Sequence, residues 1–432
     1  MSIIWQSGAN HPKFDKLSGE RRTEVLVVGG GMAGILITKF LSDAGVDCIL
    51  AEAGEICGGV TKNTTAKLSA AHGLIYSRLI GRYGEEYARR YLEANLEALG
   101  KFSELCQKID CDYEVRDSYV YSLSDVEKIK SEVSALNTLG VPAELSTTDE
   151  LPITTVGAVR LRNQAQLHPL KFAYAIANGL PIFENTKVRH IMPHRAVTDG
   201  GDIAFDKIII ATHFPIVNKH GGYFIKMYQH RSYVLALRGA GDISGMYIDQ
   251  SGTGLSFRQY WDMLLLGGGS HRTGKRGGGW RELEEFAAKH YPNAEIVERF
   301  ATQDCMTLDG VPYIGKYSTA TPDMYVATGF NKWGMTSSMV SAMLLSDMIL
   351  GKKNRYERVF SPSRSILHPT LAKNALEAVV NLLTPTAPRC PHLGCALKYN
   401  AAEHSWDCPC HGSRFTDSGE LIDGPATDDK RL

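Results

Sequence analysis

Four apolar residues in a row, Val25-Leu-Val-Val28, run into Gly29-Gly-Gly31 with no polar residue alternating among them. A strand without a polar face is covered on both sides, so this run predicts a central strand of a parallel sheet. A helical stretch from Ile35 to Ala44 follows, then a second strand, Asp47-Cys-Ile-Leu-Ala-Glu52. The same kind of run returns at Ile208-Ile-Ile-Ala-Thr212 and at Met324-Tyr-Val-Ala-Thr328, the latter again leading into a glycine turn. Elsewhere the period changes. From Ser77 to Ile109 the apolar positions (Leu79, Ile80, Tyr83, Tyr87, Tyr91, Leu92, Leu96, Leu99, Phe102, Leu105) recur at helical spacing and predict one or two amphipathic helices. Residues 113–123 and 226–268 are strand-like, as in Tyr228 to Leu237 and Leu255 to Leu266. A Pro- and Arg-containing stretch, 352–365, then a helical stretch from Leu371 to Leu383, reads as a connector.

With 432 residues, 44% of them hydrophobic, the chain is expected to hold two or three domains and a large core. Acidic and basic residues number 47 each, which gives no overall electrostatic case for nucleic acid or a membrane surface. No apolar run approaches the roughly 18 residues of a membrane span, and Met1-Ser-Ile-Ile-Trp-Gln-Ser7 lacks the pattern of a signal peptide. The expected location is therefore the cytoplasm.

Chemistry enters at the glycine turns. Gly29-Gly-Gly31-Met-Ala33-Gly34 is G-x-G-x-x-G between a strand and a helix, with Glu52 at the end of the next strand. That arrangement lets a pyrophosphate approach a helix N-terminus while the acid accepts from a ribose hydroxyl. The late turn Gly329-Phe-Asn-Lys-Trp-Gly334-Met335-Thr336 is preceded by Thr307-Leu-Asp-Gly-Val-Pro-Tyr-Ile-Gly315. Together the two turns resemble the FAD-dependent amine and D-amino acid oxidase/glycine oxidase-like family, over residues 24 to about 350. The resemblance implies two-sided FAD binding rather than NAD. It also implies that Gly59, Thr61 and Thr65 belong to a further flavin-contacting loop ending at Lys67, and that Thr186-Lys-Val188 is a strand touching the adenine end. The implied fold class is α/β: a Rossmann-like FAD-binding domain with an inserted antiparallel-sheet substrate domain.

Catalytic residues are not legible as a motif, because flavin chemistry asks the protein mainly to position the substrate and tune the cofactor. His72, Tyr228, His230, Arg258, Tyr260 and His271 lie on segments that line the pocket in the resembled family, and an Arg there could clamp a carboxylate. Cys305 lies near where related monomeric sarcosine oxidase-like proteins carry a flavin-linked cysteine, but its register to Asp309 differs, and a buried structural thiol is the expectation.

At the C-terminus, Cys390-Pro-His392-Leu-Gly-Cys395 and Cys408-Pro-Cys410-His411-Gly-Ser413 place two Cys-and-His pairs either side of one plausible hairpin. Two thiolates and two imidazoles are the ligand complement of a Rieske 2Fe-2S centre. Zinc accepts the same residue types, but its motifs favour C-x2-C and H-x3-5-H spacings and leave the two extra cysteines without a use. The segment resembles the Rieske family down to Gly424-Pro425-Ala426. By that resemblance Cys390, His392, Cys408 and His411 are ligands, Cys395 and Cys410 form a disulfide, and Ser413 donates to a bridging sulfur. The match is shortened, corresponding to the cluster-binding half, a small all-β segment. A piece of about 40 residues needs a metal, a disulfide or a neighbouring domain to stay folded, so it is expected to lean on the rest of the chain. The remaining cysteines, Cys48, Cys57, Cys106, Cys111 and Cys305, are expected as thiols, with Cys106 and Cys111 on different faces of a helix end.

The domain expectation is thus residues 1–351 for the FAD-dependent domain, with substrate-domain segments at about 77–180 and 220–300, then 352–385 as connector and 386–432 as the cluster segment. The functional expectation is oxidation of a small amine or amino acid at FAD, with electrons passed through the chain's own cluster to an acceptor such as a redox protein. The alternative is a redox-sensing or structurally braced flavoprotein whose cluster does not turn over. A Rieske non-haem oxygenase would also need a two-His, one-carboxylate iron site, and His190-Ile-Met-Pro-His194 has no acid at a fitting offset.

Overall fold

The computed structural model describes residues 4–217, 220–251, 254–385 and 388–430. The apolar strand Arg21–Val28 lies inside an eight-stranded sheet, between Gly201–Ile210 and Cys48–Ala51 and parallel to both. Thr321–Thr328 extends the parallel order, Tyr313–Ser318 closes that edge as an antiparallel strand, and Ile182–Phe183 closes the other. Burial on both faces is complete: Val25, Leu26 and Val27 are each 0% exposed. Helices Met32–Asp43 and Gly334–Ile349 pack on each other against one face. The second of these buries all but a few of its residues, which is why it carries no polar stripe.

A nine-stranded sheet stands beside the first. Its order is Glu295–Thr307, Met227–Arg238, Met263–Arg272, Ser256–Tyr260, Met246–Asp249, Glu114–Ser122, Gly157–Gln166 and Lys67–Leu68, with Ala143–Ser146 pairing off this path. All pairs are antiparallel except Met246–Asp249 with Glu114–Ser122. The strand-like run from Leu255 to Leu266 is two strands, because Trp261 adopts φ +51° and Tyr260 pairs with Met263 across a two-residue turn. The helical region divides into Tyr76–Tyr83 and Glu85–Cys106 at Gly84, φ +85°. Cys106 and Cys111 are not apart as expected. The chain turns back after the helix, and their sulfurs lie 3.4 Å from each other.

The C-terminal segment is a four-stranded antiparallel sheet of Lys398–Asn400, Ser405–Asp407, Arg414–Thr416 and Leu421–Asp423. Its core is small, built from the four cysteines with Leu397, Phe415 and Ala426. It rests on the larger body through a buried ion-pair chain. Arg231 pairs with Glu403, Glu403 with Arg414 at 2.8 Å, and Arg414 with Asp407 at 3.0 Å. Gln303 Nε2 donates to Gly412 O at 2.9 Å, Arg272 Nε to Pro409 O at 3.3 Å, and Lys187 Nζ to Thr427 O at 2.6 Å.

Candidate functional site

The first glycine turn is close-packed in a way only glycine allows. A Cβ on Gly29, φ +108°, would stand 2.6 Å from Ala211 O, and one on Gly34 would stand 1.9 Å from Gly29 O. The start of helix Met32–Asp43 has no side-chain cap from its own N-cap residue, Gly31, and no acid in its first turn, which suits an anion. Glu52 stands beside it, its carboxylate accepting from Gly30 N–H at 2.6 Å and Gly54 N–H at 2.8 Å. Thr61 Oγ1 accepts from Met32 N–H at 3.1 Å, which fastens the next loop to the same helix start. The N-terminus of Gly334–Ile349, likewise without a side-chain cap from its N-cap residue, reaches the same place.

Both helix starts open on one cavity of about 770 Å³. Gly29, Gly31, Ala33, Glu52, Gly59, Thr61, Thr65, Val188, Gly334 and Met335 lie on its wall. Gly34, Gly329 and Thr336 stand behind it. Gly34 is packed on Gly29, Gly329 holds a positive φ against Thr307, and Thr336 is bonded to His72. A long cavity with two helix starts, an acid at one end and His213 Nε2 buried in the wall without a hydrogen-bond partner among the described residues fits FAD.

None of the candidate catalytic side chains lines this cavity. His72 lies beneath it, bonded to Tyr91 Oη at 2.7 Å and Thr336 Oγ1 at 3.0 Å and stacked on Trp333; burial pushes its pKa down to about 3. Arg258 is 0% exposed, and its guanidinium is spent on Gln166 Oε1 at 3.0 Å, Leu167 O at 2.9 Å and Thr65 O. Arg258 is not on the cavity wall. Tyr260 Oη donates to Asp112 at 3.2 Å, and His271 stacks on Tyr233. Tyr228 lies under the Arg272 guanidinium, and burial keeps His230 neutral, with a pKa near 3. Cys305 Sγ is buried between Gln229 Nε2 at 3.1 Å and His213 O at 3.4 Å, and is not on the wall.

Other residues occupy the wall where the second sheet meets the FAD loops. Lys67 ends the loop begun by Gly59, and burial, helped by the positive Arg258, lowers its pKa to about 7. Asp304 and Lys332 lie on the same wall. Burial raises the Asp304 carboxyl, with Lys332 opposing, and burial lowers the Lys332 amine, with Asp304 opposing. Strand alternation explains the pairing that a linear reading misses: Cys305 points into the core, so Asp304 points to the cavity.

The cluster loops share one construction. Gly394 N–H donates to Cys390 O and Gly412 N–H to Cys408 O, each at 2.9 Å, with φ +78° and +88° at the two glycines. The Sγ atoms of Cys395, Cys408 and Cys410 lie within 4.8 Å of one another, and the neighbouring Cys408, with burial, raises the Cys390 thiol. The His392 and His411 rings are 4.9 Å apart at 83°. Burial and the neighbouring His411 lower the His392 pKa to about 4, so it stays a neutral imidazole, as a ligand must be. His411 Nδ1 is buried without a hydrogen-bond partner among the described residues. Two cysteines and two histidines in this group fit a 2Fe-2S cluster.

The histidine edge faces inward. His392 packs on Phe214, ring centroids 6.5 Å apart, and His411 on Phe224 at 6.0 Å. Phe214 itself lines the cavity, and Leu421 to Gly424, Ala426 and Thr427 of the cluster segment complete its wall.

Comparison with known proteins adds to this geometry. The model of the family described as FAD dependent oxidoreductase matches residues 24–348, and that of the Rieske [2Fe-2S] domain matches residues 381–431. The Rieske 2Fe-2S iron-sulfur protein YhfW of Bacillus subtilis is 33% identical over 98% of this chain and 95% of its own. The chloroplastic cytochrome b6-f complex iron-sulfur subunit of Pisum sativum is 44% identical over 57 residues, 13% of this chain and 20% of that one. Among solved structures, glycine oxidase from Geobacillus kaustophilus superposes with a TM-score of 0.68 at 20% identity, covering 80% of this chain and 99% of that one. L-amino acid deaminase from Proteus vulgaris gives 0.65 at 17% identity, covering 82% and 97%. Among the described residues no helix is long and apolar enough to cross a membrane.

Proposed function

Because the chain belongs to the FAD dependent oxidoreductase family and ends in a Rieske [2Fe-2S] domain, we propose that it oxidises a small amine or amino acid and passes the electrons singly through its own cluster to an acceptor. FAD accepts a hydride equivalent and the cluster one electron at a time. Gly29, Gly31, Ala33, Glu52, Gly59, Thr61, Thr65, Val188, Gly334 and Met335 would hold the dinucleotide, with Gly34, Gly329 and Thr336 shaping the turns behind them. Cys390, His392, Cys408 and His411 would hold the cluster, and Cys395 and Cys410 would pair to clamp its loops. The five remaining cysteines, an odd number, suit a reducing cytoplasm.

The substrate end offers a cation and an anion, Lys332 and Asp304, the complement of a zwitterionic amino acid. Lys67, with a pKa near 7, is placed to accept the proton that a substrate ammonium must lose before oxidation. The solved neighbours named as glycine oxidase and L-amino acid deaminase support the substrate class. Phe214 carries the reading as a whole: one ring touches both the cavity and the imidazole of His392.

The test is an anaerobic stopped-flow screen of amines and amino acids. The expected outcome is flavin bleaching followed by the spectrum and EPR signal of a reduced cluster. Bleaching with a cluster that never changes state would assign the cluster a bracing role instead.

A further inference from the structure

The connector helix Pro369–Leu383 is inside out. Its buried residues are Asn374 and Asn381, two turns apart on one face. Asn374 Oδ1 accepts from Arg272 Nη1 at 2.8 Å, and its Nδ2 donates to Ile225 O at 3.3 Å. Glu377, between them, pairs with Lys275 at 2.7 Å, and Asn381 O accepts from Ala396 N–H at 3.0 Å. The apolar side chains point away: Leu376 is 64% exposed, Val379 and Val380 51% each, and Leu383 77%. Leu382 on the same helix is also exposed, at 46%. A surface helix of a globular domain turns its apolar stripe inward, and a contiguous exposed patch marks an interaction site.

Three occupants are possible in principle, and the chemistry of the face separates them. A 15-residue helix is about 22 Å long and 10 Å wide, so one face offers a few hundred Å², short of the ~800 Å² per partner of a stable dimer. The exposed face of the helix is aliphatic, without the Trp or Tyr anchors that carry protein interfaces. A lipid surface asks only for apolar area bordered by basic groups. Those are present. Lys373 is exposed on the helix, Lys275 pairs with Glu377 while remaining half-exposed, Arg389 bonds the carbonyls at the helix C-terminus, and Arg82 bonds Leu367 O ahead of its start. We infer that this helix docks the protein on an anionic lipid surface, its apolar face sunk among the acyl chains and its asparagine face holding the protein. Cys410 Sγ lies 3.9 Å from Glu377 O, so docking sets the cluster one helix width from the lipid. The balanced net charge does not oppose this, because the contact is local.

The test uses full-length holoprotein sedimented with vesicles of phosphatidylcholine alone and of phosphatidylcholine with one quarter phosphatidylglycerol. Wild type is expected to pellet with the anionic vesicles, and Val379→Asp with Leu383→Asp to lower its partitioning by more than about tenfold. Lys373→Gln is expected to weaken binding a few-fold. Unchanged flavin and cluster absorbance in the variants shows that they fold. Wild type left in the supernatant with both kinds of vesicle overturns the inference, as does equal binding to both. A wild-type dimer in sedimentation velocity that the double variant dissociates also overturns it, and assigns the face to a second copy.

Discussion

The hydroxyl of Ser413 accepts the Ala426 N–H at 3.0 Å, which leaves its proton to be donated to a sulfur of the cluster. A donor to a cluster sulfur stabilises the reduced, more negative state, so Ser413→Ala is expected to lower the midpoint potential with cluster content intact. Losing about 1.5 kcal/mol of differential hydrogen bonding corresponds to ~60 mV for one electron; a redox titration followed by EPR reads it directly. Lys67 sets a second expectation. Only its neutral form accepts a proton, so the rate of flavin reduction should rise with pH through about 7, and Lys67→Met should remove that limb of the profile. A limb that survives the substitution belongs to another group. The grouping of cysteines and histidines at the C-terminus was legible because its chemistry lies in adjacent positions, and so were the glycine turns. Arg258 was not, since a charged residue on a strand looks alike whether it meets a substrate or, as here, Gln166 and Leu167 brought in from a distant strand.

Between elements, the join of the cluster sheet to the strand Met227–Arg238 depends on Glu403, which accepts from Arg231 Nε at 3.0 Å, Tyr233 Oη at 2.9 Å and Arg414 Nη2 at 2.8 Å. Burial alone would raise its carboxyl, but Arg231 and Arg414 hold it below the usual value of 4.5. The charged form is therefore favoured in the folded state; its contribution is full above the unfolded value and is lost as pH falls through the lower, folded one. Glu403→Gln leaves two guanidinium groups buried with one partner fewer, a cost of about 3–5 kcal/mol. The expected result is an earlier thermal loss of the cluster's visible circular dichroism, and in wild type the same loss in acid. A variant that melts with wild type would show the network to be dispensable. The strands and helices themselves followed the apolar periods closely, breaking where Gly84 and Trp261 take positive φ. The pairing of Met227–Arg238 with Glu295–Thr307, which sets Asp304 on the cavity wall, depends on a register between distant segments that no local period encodes.

For the molecule as a whole, the shortened cluster domain was expected to need support, and its buried contacts run both ways. Ending the chain at residue 385 would uncover Phe214 and Phe224 and leave Arg231, now 3% exposed, without its carboxylate. The truncated protein is expected to unfold roughly 5 °C or more below full length by flavin-monitored melting, and equal stability would show the flavin body to be self-sufficient. The inward-facing histidine edge has a consequence for kinetics. A carrier on a flexible tether must diffuse between donor and acceptor, so its throughput slows in a viscous medium. On the proposed route the imidazoles already rest on the donor side, fastened by ion pairs, and transfer would contain no search. Flavin-to-cluster transfer should be first order, indifferent to dilution and to added glycerol, so that any slowing by viscosity arises only after the electron has left the chain.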